Sequence, residues 1–326
     1  MPLKASIIIA TYRRTDYLQE ALASINRQDY PQCDYEIIIV DNAPASCDEL
    51  RDLACNDKLP VIRYVHEPRN GATTARHAGV LVAKGEILVF IDDDVICPVD
   101  WLRSLLQPFD DNKIALVAGR VVLHYEQNPP DWIARFTSAL SGLDYGSIAR
   151  ALKPHVTAYS CNMAIRSSVF YHVGGLNPCY YSDPAMVTYG GDGECGLTRK
   201  VYDAGFIVWY APDAWLHHRV PASRMTVDYH AYRAKLSAVE HIYCLYRYKM
   251  VHRWQLITAT LIFLLRSACH YGLMVGLPRN SASWIKHCIS AIRDWESSKQ
   301  ALRVFRSREL RNHIRLERNF PEHKAA

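Results

Sequence analysis

The sequence lacks the short motifs of several common chemistries: it has no Walker loop, no GxGxxG after its first apolar run and no GxSxG elbow. Kinase, dehydrogenase and hydrolase readings therefore lose their usual phosphate cradle or strained nucleophile turn. Ten cysteines are scattered from Cys33 to Cys288, none in a CxxC pair or at zinc-finger spacing. They are expected to be reduced thiols in core and surface positions of a cytosolic protein. No secretory leader is read, because the first apolar run begins at Ala5 after a single lysine and has the length of a strand. Apolar runs of spanning length are missing too. "LITATLIFLL" (256–265) is interrupted by Arg266 and His270 before "YGLMVGL" (271–277), short of the roughly 20 apolar residues a spanning helix needs.

What is present is ordinary globular composition, 49% hydrophobic and 22% charged in 326 residues, enough for one large core or two modest ones. The net charge of +5 conceals an asymmetry. Residues 1–246 carry 23 Lys and Arg against 28 Asp and Glu, whereas 247–326 carry 15 against 5. An acidic body is joined to a basic tail. With no recognised nucleic-acid module, nucleic acid is not an expected partner.

Within the body, β-branched runs alternate with helical spacing. "ASIIIA" (5–10), "YEIIIV" (35–40), "LPVIRYV" (59–65), "GEILVFI" (85–91) and "IALVAGRVVL" (114–123) read as strands. Tyr17, Leu18, Ala21, Leu22 and Ile25 recur at helical intervals, and a second helix is expected over Thr74 to Ala83. Near-continuous apolar strands separated by helices predict an α/β fold, a mainly parallel central sheet with helices on both faces. In such sheets ligands sit beyond the carboxyl ends of the strands. The polar groups gather there: "TYRR" (11–14) after the first run, Asp41 and Asn42 after the second, and Asp92, Asp93 and Asp94 after the fourth.

Three adjacent carboxylates repel one another unless a cation or hydrogen-bond donors neutralise them. A hard divalent ion, Mg²⁺ or Mn²⁺, does this with one or two carboxylates and the oxygens of a diphosphate. The bland alternative is a capping cluster for a helix beginning near Trp101.

The segments "SIIIATYRR", "EIIIVDNAPAS", "NGATTARHAG" and "GEILVFIDDDVICPVDWL", followed in the same order by "NMAIRSSVFYHVGGLN", "GGDGECGLTRKVYDAGF" and "APDAWLHHRVPASR", resemble the family 2 glycosyltransferases over residues 5 to 225. The resemblance implies a GT-A fold, Rossmann-like, and metal-dependent inverting transfer from a nucleotide-sugar donor to a glycan or lipid-linked acceptor. It places the nucleotide base at Asp41, beside Thr11, Tyr12 and Arg13, with Gly71 and Arg76 near the nucleotide. Asp94 is implied as a metal ligand, Asp92 and Asp93 as neighbours of ribose or metal-bound water, with Asp92 a second ligand. His218 is implied at the metal or diphosphate, with His217 as a substitute. Arg219 and Arg224 are candidates to neutralise the leaving diphosphate.

An inverting enzyme also needs a base for the acceptor hydroxyl. The family supplies it from an "ED" motif opening a helix, but "GGDGE" has Gly191 where the glutamate belongs. Aligning the motif selects Asp192, the preferred assignment; counting back from Gly205 selects Glu194.

Three regions are expected: a nucleotide-sugar half (1–123), an acceptor half (124–230) and a basic helical region (231–326). Tyr125, Trp132, Phe136, Tyr145 and Tyr159 are candidates for an acceptor platform or for core, and 177–191 for a lid. In the tail, Trp284, Ile285, Cys288, Ile289, Ile292 and Trp295 recur at helical spacing. The tail is read either as lying at a membrane interface or as capping the body or a second subunit. The expected location is cytoplasmic, with the cytoplasmic face of a membrane as the further alternative. An inactive nucleotide-binding scaffold is the competing reading of function. A nucleotidyltransferase is disfavoured by the absence of a glycine-rich triphosphate loop near the first strand.

Overall fold

The computed structural model describes residues 3–54, 60–69, 71–154, 156–177 and 191–315. The chain opens with β1 (Ala5–Thr11), α1 (Thr15–Ile25), β2 (Tyr35–Asp41), a short α2 (Asp48–Asp52), β3 (Val61–His66), α3 (Ala72–Val82) and β4 (Ile87–Asp92). A two-residue strand, β5 (Val95–Ile96), precedes α4 (Trp101–Leu106), β6 (Ile114–Tyr125), β7 (Arg150–Ala151), β8 (Asn162–Arg166) and α5 (Ser167–His172). Then come α6 (Gly193–Asp203), β9 (Ile207–Val220) and the helices α7 (Val227–Arg247), α8 (Gln255–Met274), α9 (Ala282–Arg306) and α10 (Arg308–Arg315).

One mixed sheet takes the order β3-β2-β1-β4-β8-β6-β9-β5, with β7 paired to β9. Most of its paired residues lie in parallel ladders, β1 with β2 and β4, β2 with β3, and β6 with β9. The central stretches of β1, β2 and β4 are apolar on both sides because both faces are covered, with the polar Ser6 and Glu36 near the strand starts bonded to each other. Strand alternation separates the layers. Tyr35 bonds the carbonyl of Ile25 on α1 at 3.1 Å, while Ile8, on the other face, meets α3 so closely that a Cβ on Gly79 would lie 2.5 Å from its Cγ2. Leu18, Leu22 and Ile25 of α1 are buried, each contributing roughly 1.5–3 kcal/mol over exposure.

The order of strand addition switches sides between β1 and β4, which run parallel, and such a switch point places a crevice at their carboxyl ends. Beyond β4, Asn162 locks the second half in place. Its amide donates to the carbonyls of Arg120 at 2.9 Å and Ala214 at 2.8 Å, and its oxygen accepts from the buried Trp101 indole at 2.9 Å. The C-terminal helices pack on the body and on each other. Trp132 and Ile133 meet Ala234 of α7 and Ile285 and Ile289 of α9, while Ile242, Leu256, Val304 and Leu310 form a separate apolar cluster.

The eight cysteines among the described residues are free thiols. The expected 177–191 lid lies, from residue 178 to 190, outside the described residues.

Candidate active site

Asp92, Asp93 and Asp94 do not cap α4, whose N-cap position is Asp100. They stand where β4 leaves the sheet, and alternation sends them to different partners. Asp92 faces the α3 side and accepts from Arg76 at 2.7 Å. Asp93 points to the other side, where Thr11 Oγ1 donates at 2.6 Å and the Arg14 guanidinium forks onto both of its oxygens. Its side chain has no exposed surface. Burial pushes the Asp93 carboxyl up to about 7, against the pull of the Arg14 charge. Asp93, expected near ribose or metal-bound water, here anchors the turn through Thr11 and Arg14.

Asp94 receives Arg14 at 2.8 Å and Arg224 at 3.1 Å on Oδ2. The turn then enters β5, whose Val95 pairs with His218 of β9 and whose Ile96 pairs with His217. Consecutive strand residues face opposite ways, so one histidine meets Asp94. His218 is buried with Nε2 3.3 Å from Asp94 Oδ1, whereas His217 stacks edge-on against Trp215 and His124. Arg219 also leaves the site, crossing the Tyr17 ring to pair with Glu20 and Glu126.

Asp92, Asp94 and His218 each present a ligand atom, all within 4.8 Å of one another. Asp94 Oδ1 is buried and makes no well-formed hydrogen bond despite its approach to His218. Three lone-pair donors grouped so closely suit a cation. Burial would raise the Asp94 carboxyl, but His218, Arg224 and Arg14 outweigh it and hold the group ionised, well below the usual carboxylate range.

At the carboxyl end of β2, Asp41 is fully buried and accepts from the backbone of Ala43 and Cys47 and from the Tyr64 hydroxyl. Its carboxylate shapes the 42–47 loop. Asn42 next to it donates to the carbonyls of Glu67 and Arg69 and accepts from Gly71 N at 2.8 Å. Gly71 opens α3 at φ 135°, a conformation that favours glycine. Tyr12 and Arg13 are exposed at the mouth, the guanidinium over the ring.

The two candidate bases occupy different environments. Asp192 is enclosed: Asn177 Nδ2 donates to it at 2.8 Å, the Tyr248 hydroxyl donates to its other oxygen, and Arg247 lies 3.9 Å away. It ties α6 to the end of α7. Glu194 accepts from Ser160 Oγ at 2.6 Å and lies in the fields of Arg76 and Asp92. Burial raises its pKa, Arg76 and Ser160 pull it back, and Asp92 adds to the rise. Each Asp192 oxygen thus has a donor within the fold, and its surroundings are the α6–α7 junction, whereas those of Glu194 include Asp92.

Arg14, Ser160 and Glu240 escaped sequence reasoning. Arg14 was legible only as half of "RR", and its orientation follows from where α1 starts. Glu240, on α7, approaches Cys195 Sγ at 3.6 Å, and burial with the charge of Glu194 pushes it up to about 7. No spacing in the sequence joins residues 46 apart. The aromatic candidates are packing groups: Trp132 and Phe136 meet edge-on beside His230, and Tyr145 packs on Tyr210.

Residues 6–174 match the profile of "Glycosyl transferase family 2". The chain is 28% identical over 243 residues to the succinoglycan biosynthesis protein ExoM of Rhizobium meliloti, covering 73% of this chain and 74% of that protein. It is 24% identical to the glucosyl-dolichyl phosphate glucuronosyltransferase of Haloferax volcanii, covering 71% and 74%. Among solved structures, the mannosyltransferase PcManGT from Pyrobaculum calidifontis, in complex with GDP-Man and Mn²⁺, superposes with a TM-score of 0.53 at 17% identity, over 93% of this chain and 76% of that one. GalNAc-T7 with UDP, GalNAc and Mn²⁺ gives 0.50 at 16% identity over 73% of this chain, which spans half of its length. These likenesses identify the fold as GT-A.

Proposed function

The chain belongs to glycosyl transferase family 2 and is a glycosyltransferase, and we propose that it transfers a sugar with inversion from a nucleoside-diphosphate donor, Glu194 acting as the base. The observation that carries this reading is the position of Glu194, bonded to Ser160 and within the fields of Arg76 and Asp92 at the acidic end of β4. An acceptor hydroxyl attacks the anomeric carbon from the face opposite the departing diphosphate and gives its proton to Glu194. A carboxylate with a raised pKa is the better proton acceptor. Ser160 orients it.

Asp92, Asp94 and His218 would hold a divalent cation, and an imidazole among oxygen ligands favours Mn²⁺ over Mg²⁺. When bound, such an ion supplies positive charge for the leaving diphosphate. Arg224 and Arg14 fix the Asp94 carboxylate, and Arg76 fixes Asp92. The Asn42 bridge to Gly71 and the Asp41-braced loop form the floor for the nucleotide, with Tyr12 and Arg13 at its rim. Residues 1–123 would thus bind the donor, 124–230 present the acceptor and the base, and 231–326 brace α6 through Tyr248. The acceptor is a glycan or a lipid-linked sugar, in keeping with the names of the two relatives. The scaffold reading rested on Gly191 in the altered motif, and a base at Glu194 removes that ground.

The test is release of nucleoside diphosphate from a panel of UDP-, GDP- and dTDP-sugars with Mn²⁺, with and without EDTA. Release from one donor, abolished by EDTA and reduced about 10²- to 10⁴-fold in Glu194→Gln but retained in Asp192→Asn, is expected. Loss in Asp192→Asn with retention in Glu194→Gln would overturn the assignment.

A further inference from the structure

The helix α8 passes through the C-terminal region with one side covered and the other bare. Leu256, Thr260, Phe263 and Ser267 are buried, and Ser267 donates to the Ala291 carbonyl of α9 at 2.9 Å. The opposite side is apolar and open. Trp254, Leu261, Ile262, Leu265, Leu273 and Val275 are between 49% and 83% exposed, large side chains along a helix of 20 residues. Only 17% of its most apolar stretch is buried. A continuous apolar strip of this length on a water-facing surface calls for an occupant.

The surrounding charge identifies the occupant. Arg253 precedes the strip, Arg279 follows it and Lys286 stands on α9, all exposed. Residues 247–326 carry 15 basic against 5 acidic groups. A second copy would bring the same positive rim and repel, whereas an anionic headgroup layer is complementary to it. Trp254 and Tyr271, near the two ends, are the side chains that combine an apolar body with a polar tip. By length and composition α8 could cross a bilayer, but its companion helix argues for the interface instead. α9 holds Asp294 buried against Arg266 at 3.1 Å and carries Glu296, Lys299 and Arg303 along its length, so the pair cannot enter hydrocarbon together.

We propose that α8 lies in the plane of an anionic phospholipid membrane with its Leu261 and Leu265 face in the acyl boundary and its basic neighbours at the headgroups. The surface is separate from the donor site, so its test stands whatever becomes of Glu194. The experiment is flotation of the full chain with vesicles of phosphatidylcholine alone and with about 30 mol% phosphatidylglycerol, run alongside light scattering for mass.

Wild type is expected to float with the anionic vesicles and not with the neutral ones. The double variant Leu261→Glu, Leu265→Glu should lose about tenfold or more in partitioning, with donor release and melting temperature unchanged. Should that variant misfold, Leu273→Ser with Val275→Ser at the helix end is expected to weaken flotation in the same sense. Equal flotation of wild type and both variants overturns the proposal. So does absence of flotation, whether the protein is monomeric or is a dimer that the glutamates convert to monomer, the latter making a second copy the occupant.

Discussion

At Asp94, two guanidinium groups and an imidazole converge on one carboxylate with an oxygen left unbonded. That surplus of ligand capacity gives a direct expectation for metal. In thermal melts, a hundredfold excess of Mn²⁺ over its Kd should stabilise wild type by about 2.7 kcal/mol, and the shift should vanish in Asp94→Asn. An equal shift in both proteins would place the ion elsewhere. The Glu194 carboxyl has its pKa raised above the ordinary glutamate value, burial being the largest cause. Only the ionised form accepts the acceptor's proton, so activity is lost as pH falls through the raised pKa. The acid limb of kcat/KM should therefore lie above the ordinary glutamate range of about 4.3. A limb at or below that value would mean that Glu194 is not the base.

At the scale of elements, α3 carries Arg76 to Asp92, and its height above the sheet is set by Gly79. A methyl at that position would lie 2.5 Å from Ile8 Cγ2 and 3.1 Å from Val40 Cγ2. Gly79→Ala should therefore lift the helix and cost about 1–3 kcal/mol, seen as a lower melting temperature together with weaker donor binding. An unchanged melting temperature would show that Ile8 can turn aside. The two-residue β5 has the larger consequence for chemistry, because its pairing with β9 decides which histidine of "LHH" faces Asp94. Neither histidine is distinguishable by type. Strand parity alone separates them, and parity depends on a register that a sequence does not print.

Across the whole molecule, the C-terminal helices are joined to the catalytic half by apolar packing around Trp132 and Ile133 and by polar contacts at Cys195 and at the buried Asp192 carboxylate. The Tyr248 hydroxyl, at the end of α7, donates to Asp192 at the start of α6. Tyr248→Phe removes that donor from a buried acceptor and should lower stability by about 1–3 kcal/mol, while turnover per folded molecule stays near wild type. A loss of turnover without a loss of stability would restore Asp192 as the candidate base. The basic tail is therefore coupled to the active site by packing, and its bare helix face is free for another surface.

The sequence by itself determined β1 to β4 and β6, the doubly covered sheet and the edge at which the acidic residues gather, since these follow from local periodicity: apolar runs of strand length, helical spacing in 17–25 and charges at strand ends; β5, β7, β8 and β9 were not read from it. The ordered motifs added the family. The tertiary structure decided which members of each candidate set meet: Glu194 rather than Asp192 in the field of Asp92, His218 rather than His217 at Asp94, Arg14 rather than Arg13 on the aspartates, and Arg224 rather than Arg219. Each choice is between residues of like chemistry one or two positions apart. Local pattern cannot resolve it, because direction is fixed by strand register and helix phase, and these are set by contacts between segments tens to hundreds of residues apart.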